Sequence, residues 1–152
     1  MNIVSDRVVI KFGGADLSTG GKIRHAADLV AKSPYKEKVV VVSAMSNTTD
    51  TLVGAINQIG NVNDEDYAEV LSMGERTSAR IFCSALKAQG AEAVVFDPAN
   101  DNWPLVTDSD FRDAKPDIGQ VVHCSVLAEE MVADIDLETH VRLASNRSPR
   151  QH

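Results

Sequence analysis

The chain has 152 residues, of which 43% are hydrophobic and 5% are aromatic, and its formal net charge at pH 7 is −7. This length suits one domain with a sizeable core, which the composition predicts to be aliphatic. The negative charge argues against non-specific binding to nucleic acid or to anionic membrane surfaces. No apolar stretch reaches the roughly 18 residues of a membrane-spanning helix, and the N-terminus lacks the apolar segment of a signal peptide. We therefore expect a cytoplasmic protein whose two cysteines are reduced, buried thiols.

The first predicted element is a buried strand, Val8–Lys11, which is followed by a phenylalanine and two glycines. Its β-branched residues are typical of a parallel strand that is covered on both faces. Lys11 places a cation at the carboxyl end of this strand, where ligands bind in open α/β sheets. Gly13 and Gly14 allow the backbone to approach a ligand closely. A cation beside backbone amides suits a phosphate or a carboxylate, although a solvated lysine and an ordinary Gly-Gly turn fit the same residues.

Strands and helices alternate along the following residues. The spacing of apolar residues predicts helices over 21–32, 50–59 and 64–89 and two further buried strands, Val39–Val42 and Ala93–Phe96. Strands separated by helices of ten or more residues indicate parallel pairing with right-handed crossovers. The predicted fold is therefore α/β, a three-layer sandwich with a mainly parallel sheet.

Three polar segments contain the side chains that could carry chemistry. Residues 43–50 cluster hydroxyls and an amide after the second strand, and the last two of them can cap the next helix. In the third helix, the carboxylate of Glu75 could hold Lys11 or a substrate ammonium group, or belong to a surface charge pattern. We expect the glycine before it to break or bend this helix. The turn at residues 106–114 has three aspartates but lacks the glycine and glutamate of an EF-hand loop, so a metal site is not favoured there.

The order of four motifs resembles the aspartate kinase branch of the amino-acid kinase family. The motifs are Lys-Phe-Gly-Gly at 11–14, Ser-Ala-Met-x-x-x-Thr-Asp at 43–50, Leu-Ser-Met-Gly-Glu-Arg-x-Ser-Ala at 71–79 and Val-Thr-Asp-x-x-Phe-x-x-Ala at 106–114. The resemblance covers about residues 7–118. It implies a parallel-sheet α/β sandwich that transfers the γ-phosphoryl group of Mg-ATP to the side-chain carboxylate of L-aspartate. Mg-ATP is then a co-substrate, and no protein-bound metal is expected.

The resemblance also implies roles for the residues at the end of the first strand. Lys11 matches the lysine that stabilises charge on the transferring phosphoryl group. Gly13 and Gly14 match the glycines whose amides lie against the phosphates. The sequence then departs from the family, because Ala15 and Asp16 stand where a threonine and a serine are usual, and residue 15 has lost a hydroxyl.

Three further residues are assigned to the amino-acid pocket by the same resemblance. Ser43 and Thr49 match residues that line the aspartate pocket, and Glu75 matches the acid that engages the amino group of the substrate. These assignments agree with the physics of phosphoryl transfer, which depends on positioning and cation stabilisation rather than on a protein nucleophile.

A larger departure concerns the nucleotide. Family members continue with a Gly-Arg-Gly-Gly-Ser-Asp turn and a later Asp-Val-x-Gly segment, and neither motif occurs in these 152 residues. We therefore expect residues 1–118 to form the amino-terminal, amino-acid-binding part of a truncated amino-acid kinase-like domain. Residues 119–152 are expected to form a divergent helical segment and a frayed polar tail. The chain alone would bind the amino acid without an ATP site, and would act as a homo-oligomer or with a complementing polypeptide.

Two other functions fit the sequence. The chain could be a non-catalytic protein that binds or senses an amino acid, or a related kinase with another acceptor such as glutamate, a carbamate or a nucleotide. The motif at residues 71–79 favours aspartate over the other acceptors, and the presence of Lys11 favours a catalytic ancestry over a pure sensor.

Overall fold

The computed structural model describes residues 6–100, 103, 105–111 and 113–117. The elements, in chain order, are β1 (Arg7–Phe12), α1 (Gly20–Lys32), β2 (Glu37–Val42), α2 (Thr48–Ile59) and α3 (Asp64–Ala88). The chain divides into two compact units. The first unit joins residues 1–49 to 74–95, and the second unit joins residues 50–73 to the chain from residue 96 onward.

The sheet of the described residues pairs β1 with β2 in parallel, as predicted. Its register runs from Arg7 opposite Glu37 to Phe12 opposite Val42. The first pair is also an ion pair, with 2.6 Å between Nη2 of Arg7 and Oε2 of Glu37. Beyond the last pair, the amide of Ser43 donates to the carbonyl of Phe12 at 3.1 Å. The predicted α/β class with a parallel sheet is confirmed, and the two strands end side by side.

Helix α1 covers one face of the first unit with the residues that the 3.6-residue period predicts. Its buried side chains are Ile23, Ala26, Ala27 and Val30. Thr19 caps the helix, because its Oγ1 accepts a hydrogen bond from the amide of Lys22 at 3.3 Å. These apolar residues form one core cluster with Leu17, Val42, Phe82 and Leu86. The core of the first unit is therefore aliphatic apart from Phe82.

Helix α2 begins two residues before the predicted start, at Thr48. Thr49 and Asp50 consequently lie inside its first turn, and the expectation that one of them caps the helix was wrong. The predicted apolar face is buried only in part, since Ile56 is 5% exposed whereas Ile59 is 76% exposed. Periodicity predicts which residues share a face, but not how far that face is covered.

Helix α3 is capped by Asn63 and continues past the glycine at which a break or bend was expected. The side-chain oxygen of Asn63 accepts a hydrogen bond from the amide of Asp66 at 2.8 Å. The helix continues without interruption through Gly74, which is buried. The expected break at this glycine is therefore absent, because its neighbours on both sides are good helix formers and outweigh a cost of about 1 kcal/mol.

The predicted third strand, Ala93–Phe96, was wrong for the part of the chain that is described. Burial alternates along residues 91–96 as in an extended chain, and Val94 is 76% exposed while Ala91 and Ala93 pack against the core cluster. A strand also needs a hydrogen-bonded neighbour, and the described sheet contains only β1 and β2. The segment therefore has the alternating burial of a strand but lacks hydrogen bonds to a neighbouring strand among the described residues.

The turn with three aspartates uses its first carboxylate to hold backbone. Oδ1 of Asp108 accepts hydrogen bonds from the amides of Asp110 and Lys115, each at 3.2 Å. This turn belongs to the second unit. The predicted helical segment and tail at 119–152, and one of the two cysteines, lie outside the described residues. None of the helices in the described part of the chain has the length and apolarity needed to cross a bilayer.

Candidate functional site

Lys11 projects from the end of β1 because strand residues alternate between two faces. Ile10 and Phe12 pack against the core cluster, whereas Lys11 between them is exposed. Its ladder partner is Val41 of β2. A cation is thus held near the carboxyl end of a parallel pair, as the sequence predicts.

The glycine loop, residues 13–17, leaves the end of β1 as two successive tight turns. The amide of Asp16 donates to the carbonyl of Gly13 at 3.0 Å, and the amide of Leu17 donates to the carbonyl of Gly14 at 3.2 Å. Leu17 is completely buried in the core cluster. The loop is therefore anchored at one end by the strand and at the other by an apolar side chain.

The serine loop, residues 43–47, follows β2 and lies against the glycine loop. Oγ of Ser46 donates a hydrogen bond to the carbonyl of Gly14 at 2.9 Å. A Cβ atom at Gly14 would lie only 2.7 Å from the carbonyl oxygen of Ala44. Asn47 completes the loop with a positive φ of 65°, a conformation that asparagine tolerates better than most residues. The two strand-end loops therefore form one continuous surface.

Two of the predicted pocket residues lie on the serine loop and just after it. Ser43 is half-buried, and its amide continues the ladder to the carbonyl of Phe12. Thr49 is exposed in the first turn of α2. The structure thus places Ser43 directly beside the end of β1 and Thr49 at the start of the helix that follows.

Glu75 is half-buried on α3 and takes part in at least one side-chain or backbone interaction. The helix packs near the end of β1, because the rings of Phe12 and Phe82 have centroids 5.3 Å apart and planes inclined at 32°. Glu75 precedes Phe82 by seven residues, or about two turns, and so lies on the same side of the helix.

All six predicted site residues belong to the first unit; they are Lys11, Gly13, Gly14, Ser43, Thr49 and Glu75. The structure brings four of them to the adjoining ends of β1 and β2, as the bonds of the glycine and serine loops show. We predict that all six residues converge on one concave pocket at the carboxyl edge of the sheet.

Sequence reasoning missed two contacts that shape the glycine loop. Oδ2 of Asp16 accepts a hydrogen bond from the amide of Gly13 at 3.1 Å. Nζ of Lys22 donates to the carbonyl of Ala15 at 2.9 Å. The only signal in the sequence was the acidic residue itself, which stands where the resemblance leads one to expect a serine.

The fold and the site together define a class of protein: a parallel α/β unit with a lysine and a glycine loop at the carboxyl edge of its sheet, suited to anionic ligands. The model of the amino acid kinase family matches residues 6–134 of this chain. The chain belongs to the amino acid kinase family.

Relatives of this chain include aspartokinases. The aspartokinase of Geobacillus stearothermophilus is 38% identical over an alignment of 90 residues, and the match covers 57% of this chain and 22% of that protein. The aspartokinase of Corynebacterium glutamicum is 36% identical over an alignment of 94 residues, and the match covers 59% of this chain and 22% of that protein. The chain therefore spans about a fifth of the length of these relatives.

Solved structures agree with this assignment. The aspartate kinase from Synechocystis is 34% identical, with a TM-score of 0.54 over 57% of this chain and 15% of that chain. E. coli aspartokinase III, solved in complex with aspartate and ADP, has a TM-score of 0.67 and 21% identity over 78% of this chain and 36% of that chain. At 21% identity, the similarity to E. coli aspartokinase III shows a shared fold and nothing further.

Proposed function

We propose that this chain carries the L-aspartate-binding part of an aspartate kinase. The family reaction would transfer the γ-phosphoryl group of Mg-ATP to the side-chain carboxylate of L-aspartate. The observation that carries the proposal is the bonding of the glycine loop to the serine loop beside Lys11, because it joins the residues assigned to phosphate and to amino acid in one surface. The aspartokinase relatives support the choice of substrate.

Each end of L-aspartate has a partner of suitable chemistry in the proposed site. The carboxylate of Glu75 would hold the substrate ammonium group through a charge-assisted hydrogen bond. The hydroxyls of Ser43 and Thr49 would donate to substrate carboxylate oxygens. Lys11 is exposed at the strand end, where it would attract the carboxylate that accepts the phosphoryl group.

Phosphoryl transfer would use the same cation and the glycine amides. Lys11 would stabilise negative charge on the transferring group, and the amides of Gly13 and Gly14 would lie against phosphate oxygens. In this chain the amide of Gly13 donates to Oδ2 of Asp16 at 3.1 Å, so it would reach a phosphate only after that hydrogen bond opens. Magnesium would enter with ATP as part of the substrate. The described residues contain no group of three or more acidic, histidine or cysteine side chains that could hold a metal ion by themselves.

We propose that binding of the nucleotide needs residues other than these 152. The glycine-rich turn and the later nucleotide segment of the family do not occur in the 152 residues. We assign residues 1–118 to the amino-acid-binding part and propose a cytoplasmic protein that associates with a second copy or a complementing polypeptide. The 152-residue chain by itself would then bind L-aspartate without phosphorylating it.

Calorimetric titration with L-aspartate tests the proposed binding site. The wild-type chain should bind, and Glu75→Gln should bind about tenfold or more weakly, because a hydrogen bond to a charged group contributes about 1.5–3 kcal/mol. Glu69→Gln is the matched control, since Glu69 is an exposed glutamate on the same helix. Absence of binding by the wild type, or equal binding by the two variants, would overturn the proposal.

Hydroxylamine trapping of aspartyl phosphate tests the proposal that the 152-residue chain binds L-aspartate but cannot phosphorylate it. The purified chain with L-aspartate and Mg-ATP should give no product above the Lys11→Ala background. Turnover near the ~1–100 s⁻¹ of ordinary kinases would show that the 152 residues hold both substrates. Aspartate binding without turnover, even when a nucleotide-binding polypeptide is supplied, would favour the non-catalytic sensor instead.

A further inference from the structure

The amide of Gly13 already has an anionic partner within this chain. Oδ2 of Asp16 accepts its hydrogen bond at 3.1 Å. The same oxygen is the nearest atom to the position that a Cβ would occupy at Gly13, at 3.6 Å. In return, the amide of Asp16 donates to the carbonyl of Gly13 at 3.0 Å. Both polar groups of Gly13 are therefore engaged by one residue.

A carboxylate in this position competes with a phosphate for the same donor. Both are anions that accept from a backbone amide, and a charged acceptor forms a stronger bond than a neutral one. The carboxylate also repels an approaching phosphate oxygen at short range, where solvent screening is incomplete. Lys22 of α1 is hydrogen-bonded within the same loop, because its Nζ donates to the carbonyl of Ala15 at 2.9 Å.

We propose that Asp16 is a specificity-determining residue of the glycine loop. Its carboxylate occupies the Gly13 amide and disfavours phosphate groups there, while the amino-acid pocket is left accessible. A serine at this position would leave the loop one negative charge less and its amide available to an external anion. The inference rests on the proposed function, because it takes the glycine loop as the phosphate contact.

Titration of the complete 152-residue chain with inorganic pyrophosphate tests this role, with ¹⁵N–¹H correlation spectra at fixed ionic strength as the readout. Asp16→Ser should bind about three- to tenfold more tightly than wild type, with the largest shift at the Gly13 amide. Asp16→Asn keeps a neutral acceptor on an isosteric side chain and should lie between the two. It also serves as the test if the serine variant does not fold.

The matched control is Asp28→Asn, which changes the net charge by the same amount on α1, where Asp28 pairs with Lys32. It should bind pyrophosphate as the wild type does. Equal affinity of the Asp16 and Asp28 variants would overturn the proposal, as would absence of pyrophosphate binding by every variant or a Gly13 amide that does not respond.

L-aspartate titration of the same samples separates this inference from the proposed function. Asp16→Ser should leave the affinity for L-aspartate within about twofold of wild type. If pyrophosphate binding improves and L-aspartate binds to neither protein, the proposed function fails and the role of Asp16 stands. If L-aspartate binds and pyrophosphate affinity does not respond to Asp16, the reverse holds.

Discussion

The adjacent glycines Gly13 and Gly14 differ in how much space surrounds their Cβ positions. A Cβ at Gly14 would lie 2.7 Å from the carbonyl oxygen of Ala44, whereas a Cβ at Gly13 would meet only Oδ2 of Asp16 at an ordinary 3.6 Å. The backbone carbonyl of Ala44 cannot move without shifting the serine loop, whereas an exposed side chain can rotate away. Gly14 is therefore required by the packing of the two loops.

We predict that Gly14→Ala lowers the free energy of unfolding by about 1–3 kcal/mol, because overpacking against backbone forces a local shift. Gly13→Ala should change it by less than about 0.5 kcal/mol, because the added Cβ would make only an ordinary van der Waals contact. Chemical denaturation followed by circular dichroism measures both. Equal destabilisation by the two variants would show that the loops do not meet as described.

The sequence was a good guide to the positions of those candidate residues that lie where a strand ends. Lys11 and Ser43 could be placed because β-branched runs mark the strands, and ligands of open α/β sheets bind beyond the carboxyl ends of the strands. The bond from Gly13 to Asp16 could not be placed, because it depends on one side-chain rotamer in a turn whose geometry no periodic pattern specifies.

Helices and strands were predicted correctly where their apolar residues pack against the core of the first unit. Every buried residue of α1 follows the 3.6-residue period, and β1 and β2 contain the β-branched runs at residues 8–10 and 39–42. It failed at residues 93–96, because composition predicts an extended backbone but not the neighbouring strand that must bond to it. It also misplaced the start of α2, where polar residues are compatible with both a cap and a first turn.

Gly54 inside α2 and Gly60 directly after it are predicted to respond in opposite ways to replacement by alanine. Gly54 is helical with open space around its Cβ position, so Gly54→Ala should stabilise the protein by about 0.5–1 kcal/mol. Gly60 follows the helix with φ of +70°, so Gly60→Ala should destabilise by about 1 kcal/mol. Thermal unfolding midpoints of the two variants should move in opposite directions. A common direction would contradict the described end of α2.

Across the whole molecule, the described residues expose apolar surface along the extended segment 91–96, which pairs with no strand of the described sheet. Val94 is 76% exposed between Ala93 and Val95, which are half-buried. An extended segment with available backbone groups and an apolar outer face is a template for association. This is the physical basis for proposing a second copy or a complementing polypeptide.

We predict concentration-dependent self-association, which Val94→Lys should reduce, because a charge on an extended edge opposes further pairing. Leu29→Lys is the control, since Leu29 is 53% exposed but lies on α1 rather than on an extended segment. Light scattering over a concentration series gives the mass. A wild-type chain that stays monomeric throughout, or equal effects of the two variants, would refute this mode of association.

Chemical-shift mapping examines whether the first unit holds L-aspartate at the adjoining ends of β1 and β2, as we propose. On addition of L-aspartate to the ¹⁵N-labelled 152-residue chain, we expect saturable shifts concentrated in residues 11–14, 43–49 and 74–76. D-aspartate, which reverses the arrangement of ammonium and carboxylate groups, should produce weaker shifts. Shifts confined to other residues, such as 105–117, or no saturable response to L-aspartate, would show that the proposed site is wrong.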